Sequence, residues 1–342
     1  MASNILLICG SLNQTTMMHQ IARCLPEHHC YFTSFYADGI LDQLSKRGMV
    51  DFTILGGNHQ KNTLAYLEKH QLPVDFRGQG RYYDAVITCT DLIIQNNIRG
   101  KRLILVQEGM TEPEGLLYHL VRRFKLPCFL ANTACTGLSD AYDLFCVASE
   151  GYSDLFIRKG VHPEKIAVTG IPNFDHATAY LDNDFPYRDF VLAATSCARE
   201  TFKPDNRQAF IRRVLEIAKD RQIIFKLHPN ERFDRAIREI RQIAPNALVF
   251  TDGNVNHMIA NCSVLITQYS SVVYIGLALG KKVYSYLDLE LLRRLTPLQN
   301  SGTSGGRIAD LTRQILRIPE AELAAARSGY ARRPVWNLPD VA

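Results

Sequence analysis

Short apolar runs recur along the chain and alternate with stretches whose apolar residues return every third or fourth position. NILLICG (4–10) carries no polar side chain after its first residue, which predicts a strand covered on both faces. MMHQIARCL (17–25) follows with helical spacing. HCYFTSFY (29–36), DFTILGG (51–57), DAVITCT (84–90), KRLILVQEG (101–109) and DLFCVAS (143–149) predict further strands, with helices between several of them. The habit continues through KIAVTG (165–170), DFVLAATS (189–196), RQIIFKLHP (221–229), ALVFTD (247–252), CSVLITQYSS (262–271) and KKVYSYL (281–287). The clearest helix is DNRQAFIRRVLEIAKD (205–220), where Phe210, Ile211, Val214, Leu215 and Ile217 oppose Arg212, Arg213 and Lys219.

Continuous Val/Ile/Leu runs separated by amphipathic stretches specify an α/β protein with parallel sheets covered on both faces. The Pro-, Asn- and Asp-rich segment TGIPNFDHATAYLDNDFPYRD (169–189) reads as a linker. It divides the chain into a Rossmann-like domain over 1–170 and a second one over 171–342, both doubly wound. The Pro-punctuated tail SGYARRPVWNLPDVA (328–342) is expected to fray or to pack back across the surface, including onto the first domain.

Composition narrows the class. At 342 residues with 46% hydrophobic and 21% charged residues, the chain reads as soluble, and each domain has enough residues for its own core. A formal charge of +5, with no aromatic-interleaved basic stripe and no zinc spacing, argues against nucleic acid as a partner. That charge suits anionic substrates, or brief contact with an acidic membrane face. Nine cysteines stand singly, without a CxxC pair, as in a reducing compartment. The N-terminal MASNILLICGSLN lacks a basic n-region and its apolar run is too short to span a membrane, so the expected location is cytoplasmic.

In open parallel sheets, ligands gather at the carboxyl ends of strands. The first domain offers Gly10-Ser11, Asp91 and Glu108-Gly109 at such ends. The second offers Thr195-Ser196, Lys226-Leu227-His228-Pro229 and Tyr269-Ser270-Ser271. The serine pair stands between the run SVLIT and the apolar helix VVYIGLALG, a position that taken alone reads as a plain cap, though its hydroxyls could also donate to an anion. His228 alone is an ordinary strand exit, and Pro229 ends the strand. Lys226 either pairs with a diphosphate or is solvated, Asp91 either acts as a base or caps the next helix, and the SGTSGG run (301–306) is either a phosphate cradle or a flexible loop.

KLHPN followed about forty residues later by VLITQYSSVVYIGLALGKKV resembles the HP and SS motifs of bacterial GT-B transferases. These include the CDP-glycerol glycerophosphotransferase-like, capsule Kdo-transferase and bacterial sialyltransferase groups. SDAYDLFCVASEGYSDLFIRKGVHPEKIAVTGIPNFD (139–175) is similar to the domain junction of UDP-N-acetylglucosamine 2-epimerases and their GT-B relatives, and VQEGM to their glutamate-bearing strand end. The resemblance implies two sheets facing across a cleft, with hinge closure near Gly170. It also implies a donor-phosphate grip by His228, Ser270 and Ser271, to which Thr195, Lys226, Pro229 and Tyr269 are added, and Glu108 as catalytic base with Asp91 as a weaker candidate. Gly10, Ser11, Gly109 and Gly170 would line the rest of the cleft.

The epimerase chemistry is not carried over. GSLNQ replaces that family's arginine loop, TSCARETF keeps only Arg199-Glu200 of its basic run, and the helix after YSS lacks the ribose-binding acid. The expected activity is therefore glycosyl or related group transfer from a CMP-, CDP- or UDP-activated donor to a surface-glycan or glycolipid acceptor. No metal or cofactor is expected. An epimerase or hydrolase, and a non-catalytic nucleotide-binding protein, remain as alternatives. LLYHLVRRFKLP (116–127) alternates apolar and basic groups, either as a solvated helix face or as a transient contact with the inner face of a membrane.

Overall fold

The computed structural model describes residues 2–201 and 204–338. The chain forms two compact units, one of Met1–Asp175 with Gly302–Ala342 and one of His176–Ser301. Both are α/β with wholly parallel sheets.

The sheet of the first unit contains β1 (Asn4–Cys9), β2 (His29–Ser34), β3 (Ala85–Thr88), β4 (Arg102–Val106), β5 (Leu144–Val147) and β6 (Ile166–Val168). Their order is β2-β1-β3-β4-β5-β6, so the winding reverses between β1 and β3. Ile5, Leu6, Leu7, Ile8 and Cys9 of β1 are fully buried, as a strand with helices on both faces requires. In the second unit β7 (Val191–Ala194), β8 (Ile223–Lys226), β9 (Leu248–Phe250), β10 (Val264–Thr267) and β11 (Lys282–Tyr284) lie in the order β11-β10-β7-β8-β9. Here the reversal falls between β7 and β10. The helix Arg207–Ala218 covers this sheet with Phe210, Ile211 and Val214, in one core cluster with Phe225 and Ile266.

Two expectations are corrected. DFTILGG does not form a strand. Its backbone turns twice, with Thr53 N–H donating to Val50 O and Gly56 N–H to Thr53 O. Gly57 then adopts a left-handed φ of 56° so close to Asp51 that a Cβ there would lie 2.1 Å from its carbonyl oxygen. In addition, both edges of β1 are already taken by β2 and β3.

The second correction concerns the stretch between Gly302 and Arg327, expected within the second domain, with only the tail after it packing back onto the first. From Gly302 the chain belongs to the first unit, which also keeps residues 171–175. Polar clamps hold the helices Ser304–Arg317 and Glu320–Arg327 there. Arg102 donates to Ile315 O at 3.2 Å and Ile318 O at 2.8 Å, closing the end of the first of these helices. Arg327 forms a two-pronged pair with Asp143, both distances 2.7 Å. Arg313 reaches Cys24 O and Glu27. Residues 339–342 of the expected tail lie outside the described residues.

Candidate functional site

In the first unit, Glu108 follows the end of β4 and receives the loop that leaves β1. Ser11 is the N-cap of the helix Leu12–Arg23, accepting from Gln14 N–H at 3.2 Å while donating its hydroxyl to Glu108 Oε1 at 2.9 Å. Gln14 Nε2 donates to Glu108 Oε2 at 2.7 Å, and its Oε1 accepts from Gly10 N–H at 2.8 Å. A side chain at Gly10 would collide with that amide, its Cβ only 2.5 Å from Gln14 Oε1. Asn13 Nδ2 adds a 3.4 Å contact to Glu108 Oε1. The carboxylate is thus half-buried and held on both oxygens by one short segment.

Asp91 is different. It is 2% exposed, and its two oxygens accept from Gly137 N–H and Ser139 N–H, each at 3.0 Å. Burial pushes its carboxyl up, partly offset by those backbone donors. Its geometry makes it a tether for the loop 137–139. Gly109 O accepts from Gln107 Nε2 at 2.8 Å, and Gly170 turns the chain at a φ of 74° just beyond β6.

In the second unit, the predicted residues gather along one sheet edge. Thr195-Ser196, His228 and Ser270-Ser271 follow β7, β8 and β10, three adjacent parallel strands. β8 and β10 are two ladder steps apart, about 10 Å. A hydrogen-bonded relay spans that distance. Gln268 Oε1 accepts from Ser196 Oγ at 3.2 Å across the winding reversal, and Arg207 Nη2 donates to Ser196 O at 3.2 Å and to Glu231 Oε1 at 2.6 Å. Glu231 Oε2 accepts from His228 N–H at 2.8 Å and from the Thr195 hydroxyl. Asp205 faces the other side of Arg207, 3.2 Å from Nε, and accepts from Gln268 Nε2 at 2.7 Å. This buried ionic network fixes the turn that carries His228.

The imidazole is oriented too. Its Nδ1 accepts from Asn230 N–H at 3.1 Å, so in the neutral ring the proton sits on Nε2, which is a donor. Pro229 is exposed, and Tyr269, 55% exposed, packs edge-on to Tyr286.

Lys226 is neither solvated nor turned to a diphosphate. It is buried, donating to Leu227 O at 3.1 Å and Thr251 O at 2.8 Å, and burial holds its ammonium below the usual lysine range against the pull of Asp252 and Glu231.

Ser270 and Ser271 use their carbonyls, not their hydroxyls, to start the following helix. Val273 N–H and Tyr274 N–H donate to them at 3.2 and 3.1 Å, and no side chain caps Val273–Ala278. With six residues, that helix contributes little dipole.

No protein-family model matches the chain, and no curated protein matches it in sequence. Solved structures do match in three dimensions. The UDP-GlcNAc 2-epimerase of Neisseria meningitidis, bound to UDP-GlcNAc, superposes with a TM-score of 0.58 at 12% identity, covering 91% of this chain and all of that one. The fold is of the GT-B type. The GT-B enzymes it resembles include the UDP-GlcNAc 2-epimerase of Methanocaldococcus jannaschii, with a TM-score of 0.52, 14% identity, and 92% and 100% coverage. They also include the wall teichoic acid polymerase TagF soaked with CDPG, with a TM-score of 0.51, 12% identity, and 92% and 89% coverage. At these identities the GT-B likeness is one of architecture.

Five polar residues beneath these edges were not foreseen: Gln14, Asp205, Arg207, Glu231 and Gln268. Glu231 stands three residues after His228, the spacing at which a carboxylate reaches back to a backbone N–H. Arg207 opens a helix, where the dipole disfavours a cation, and that anomaly signals a buried acid nearby.

Proposed function

We propose that the protein transfers a sugar or related group from a nucleotide-activated donor to an acceptor hydroxyl on a surface glycan or glycolipid. The observation that carries this reading is the presentation of His228. A buried carboxylate fixes its backbone, and a backbone N–H on Nδ1 sets the neutral ring's proton on Nε2, at the sheet edge shared with Ser270 and Ser271. Donors fixed in advance stabilise negative charge without reorganising as it develops.

In the proposed reaction the acceptor oxygen attacks the donor carbon and the bond from that carbon to the nucleotide's phosphate oxygen breaks. The electron pair leaves on the phosphate, where His228, Ser270 and Ser271 meet the added charge. The acceptor's proton passes to Glu108, whose side chain Ser11 and Gln14 hold in place. A GT-B relative that holds UDP-GlcNAc and another soaked with CDPG support a nucleotide-linked donor. Donor binding falls to the second unit and proton removal to the first, so mutation separates them.

An acceptor carried on lipid is supported by the helix Leu116–Phe124. Its Tyr118 and Val121 pack inward, while Leu116 (78%), Leu117 (50%) and Phe124 (65%) are exposed beside Arg122, Arg123 and Lys125. Apolar side chains flanked by cations suit an anionic lipid surface. Among the described residues, no helix is long and apolar enough to cross a membrane.

The test is a thermal-shift panel of CMP, CDP, UDP and GDP, followed by nucleotide release from the matching sugar donors. His228→Ala should weaken nucleotide binding about tenfold or more, the worth of a hydrogen bond to a charged group. Glu108→Gln should bind the nucleotide normally and lose turnover. Stabilisation by no nucleotide would overturn the donor site, and full turnover by Glu108→Gln would overturn the base. An epimerised sugar still attached to its nucleotide would replace transfer with isomerisation.

A further inference from the structure

Buried cysteines of the first unit pair with hydroxyls: Cys9 with Thr15 and Cys146 with Thr169. Cys128 and Cys135 instead pair with each other, thiol to thiol. They are the two ends of an interrupted 3-10 helix, Cys128–Cys135. Unbroken, a helix of that length would part its ends by about 14 Å. The interruption is at Asn132, whose φ of 46° and ψ of −146° fold the second half back against the first.

This folded segment is anchored on its surroundings. Glu112 N–H donates to Thr133 Oγ1 at 3.0 Å, Lys159 Nζ donates to Ala134 O, and Asp91 holds the loop 137–139 that follows. Ala131, Ala134 and Cys135 pack with Tyr118 and Val121, so the segment is the seat of the helix Leu116–Phe124. Cys135 is fully buried in that seat, while Cys128 is half-buried at its rim, next to the exposed Leu126 and Pro127. Solvent reaches one thiol, and its partner is already in contact.

We propose that Cys128 and Cys135 are a redox-modification site, closing to a reversible disulfide with a small disulfide oxidant of the glutathione type. The Cys128 sulfur attacks one sulfur of the oxidant and expels the other half. The Cys135 sulfur then attacks Cys128 in the mixed disulfide and expels the second half. The two thiol protons end on the two released thiols, and the pair gives two electrons to the oxidant's S–S bond. Thiols already in contact have only a short way to close to the ~2 Å of a disulfide. Burial pushes the Cys135 thiol up to about 11 and raises that of Cys128. That slows the attack, but it also withholds the thiolate stabilisation that favours a reduced pair. The exchange is therefore slow and its product stable. Reduced, the pair packs as two small apolar groups. Oxidised, it ties together the two ends of the seat under Leu116–Phe124.

The experiment equilibrates the full chain with mixtures of reduced and oxidised glutathione, quenches with acid and labels the unfolded chain with N-ethylmaleimide. Mass spectrometry then maps the tryptic peptide 126–158, which also contains Cys146. Labels at Cys128 and Cys135 should vanish together as oxidant rises, leaving that peptide lighter by two hydrogens, and should return with dithiothreitol. Cys146, buried on β5, should stay labelled. In Cys128→Ser, checked for folding by circular dichroism, Cys135 should keep its label in every mixture. Native trypsin should cut the oxidised chain severalfold more slowly after Arg122, Arg123 and Lys125. Mapping the parent needs no variant to fold. The proposal is overturned if both labels persist at the highest oxidant excess, or if Cys128 stops as a mixed disulfide with Cys135 still labelled. Bonding of Cys135 to another cysteine, or loss of its label in the folded variant, overturns it as well, and equal native cleavage of the two forms overturns the tie to the helix.

Discussion

Replacing Glu231 by Gln should destabilise the second unit and loosen nucleotide binding together. The Glu231 side chain is 1% exposed and that of Arg207 is 2% exposed. The carboxylate serves three donors: Arg207 at 2.6 Å, His228 N–H at 2.8 Å and the Thr195 hydroxyl. An amide cannot serve all of them. With its oxygen towards His228, its NH2 faces the guanidinium and leaves the cation with Asp205 alone. Flipped, it points donors at His228 and Thr195. Breaking a buried ion pair by removing one partner costs about 3–5 kcal/mol. Asp205 still compensates Arg207, so the low end applies, about 3 kcal/mol. For a domain of this size that shifts the melting midpoint by roughly 10 °C.

Calorimetry is the suitable assay, because the single tryptophan, Trp336, belongs to the other unit and the two units need not melt together. Arg207→Met should cost a similar amount, and the double variant should cost about 2 kcal/mol less than the sum, since each change removes the other's stranded partner. Single variants within about 0.5 kcal/mol of the parent, or strict additivity, would refute the ionic-network reasoning, since that is the range of neutral surface changes.

Two further outcomes are expected. The Arg313 guanidinium beside Glu27 holds its carboxyl down at about 2, against an ordinary 4.5. A carboxyl depressed in the folded state stabilises above its unfolded value and loses that contribution as pH falls through its folded value. The melting difference between the parent and Glu27→Gln should therefore persist at pH 7 and close between about 4.5 and 2. It should stay below about 1 kcal/mol, since the Glu27 side chain is 45% exposed; a gap that widens towards pH 2 would contradict the sign. Changing Leu117 and Phe124 to Ser should abolish sedimentation with vesicles of mixed anionic and zwitterionic lipid while leaving the melting temperature unchanged. Equal binding to purely zwitterionic vesicles would rule out the role given to Arg122, Arg123 and Lys125.

The layered architecture was legible because its signal is repetitive. Runs such as NILLICG and VLIT are apolar on both faces, and only parallel strands under two helical layers demand that. DFTILGG misled for the same reason: its composition suits a strand, yet Gly56-Gly57 and Asp51 fold it into turns, and β1 has no free edge to receive it.

A return of the tail to the first unit was expected, but that of the helices Ser304–Arg317 and Glu320–Arg327 was hidden, because amphipathic periodicity says which face of a helix is apolar, not which sheet it covers. Among candidate residues, the placement of Thr195, His228 and Ser270 after adjacent strands was legible from topology. Lys226 was not, since a lysine after an apolar run looks the same whether it meets solvent or two carbonyls. Glu231 and Arg207 were hidden as ordinary charges in a loop and a helix, because their pairing is set by the winding of the sheet and not by sequence distance.

Because residues from Gly302 rejoin the first unit, the second is one uninterrupted stretch, His176–Ser301, while the first is built from two. During synthesis the later-begun half has its whole sequence available before the earlier one does. The helices carrying Arg313 and Arg327 must emerge before Glu27 and Asp143 find their partners. A nascent chain whose residues had emerged from the ribosome only as far as 301 would hold a finished domain and an incomplete one, the reverse of the usual order in which domains mature from the N-terminus.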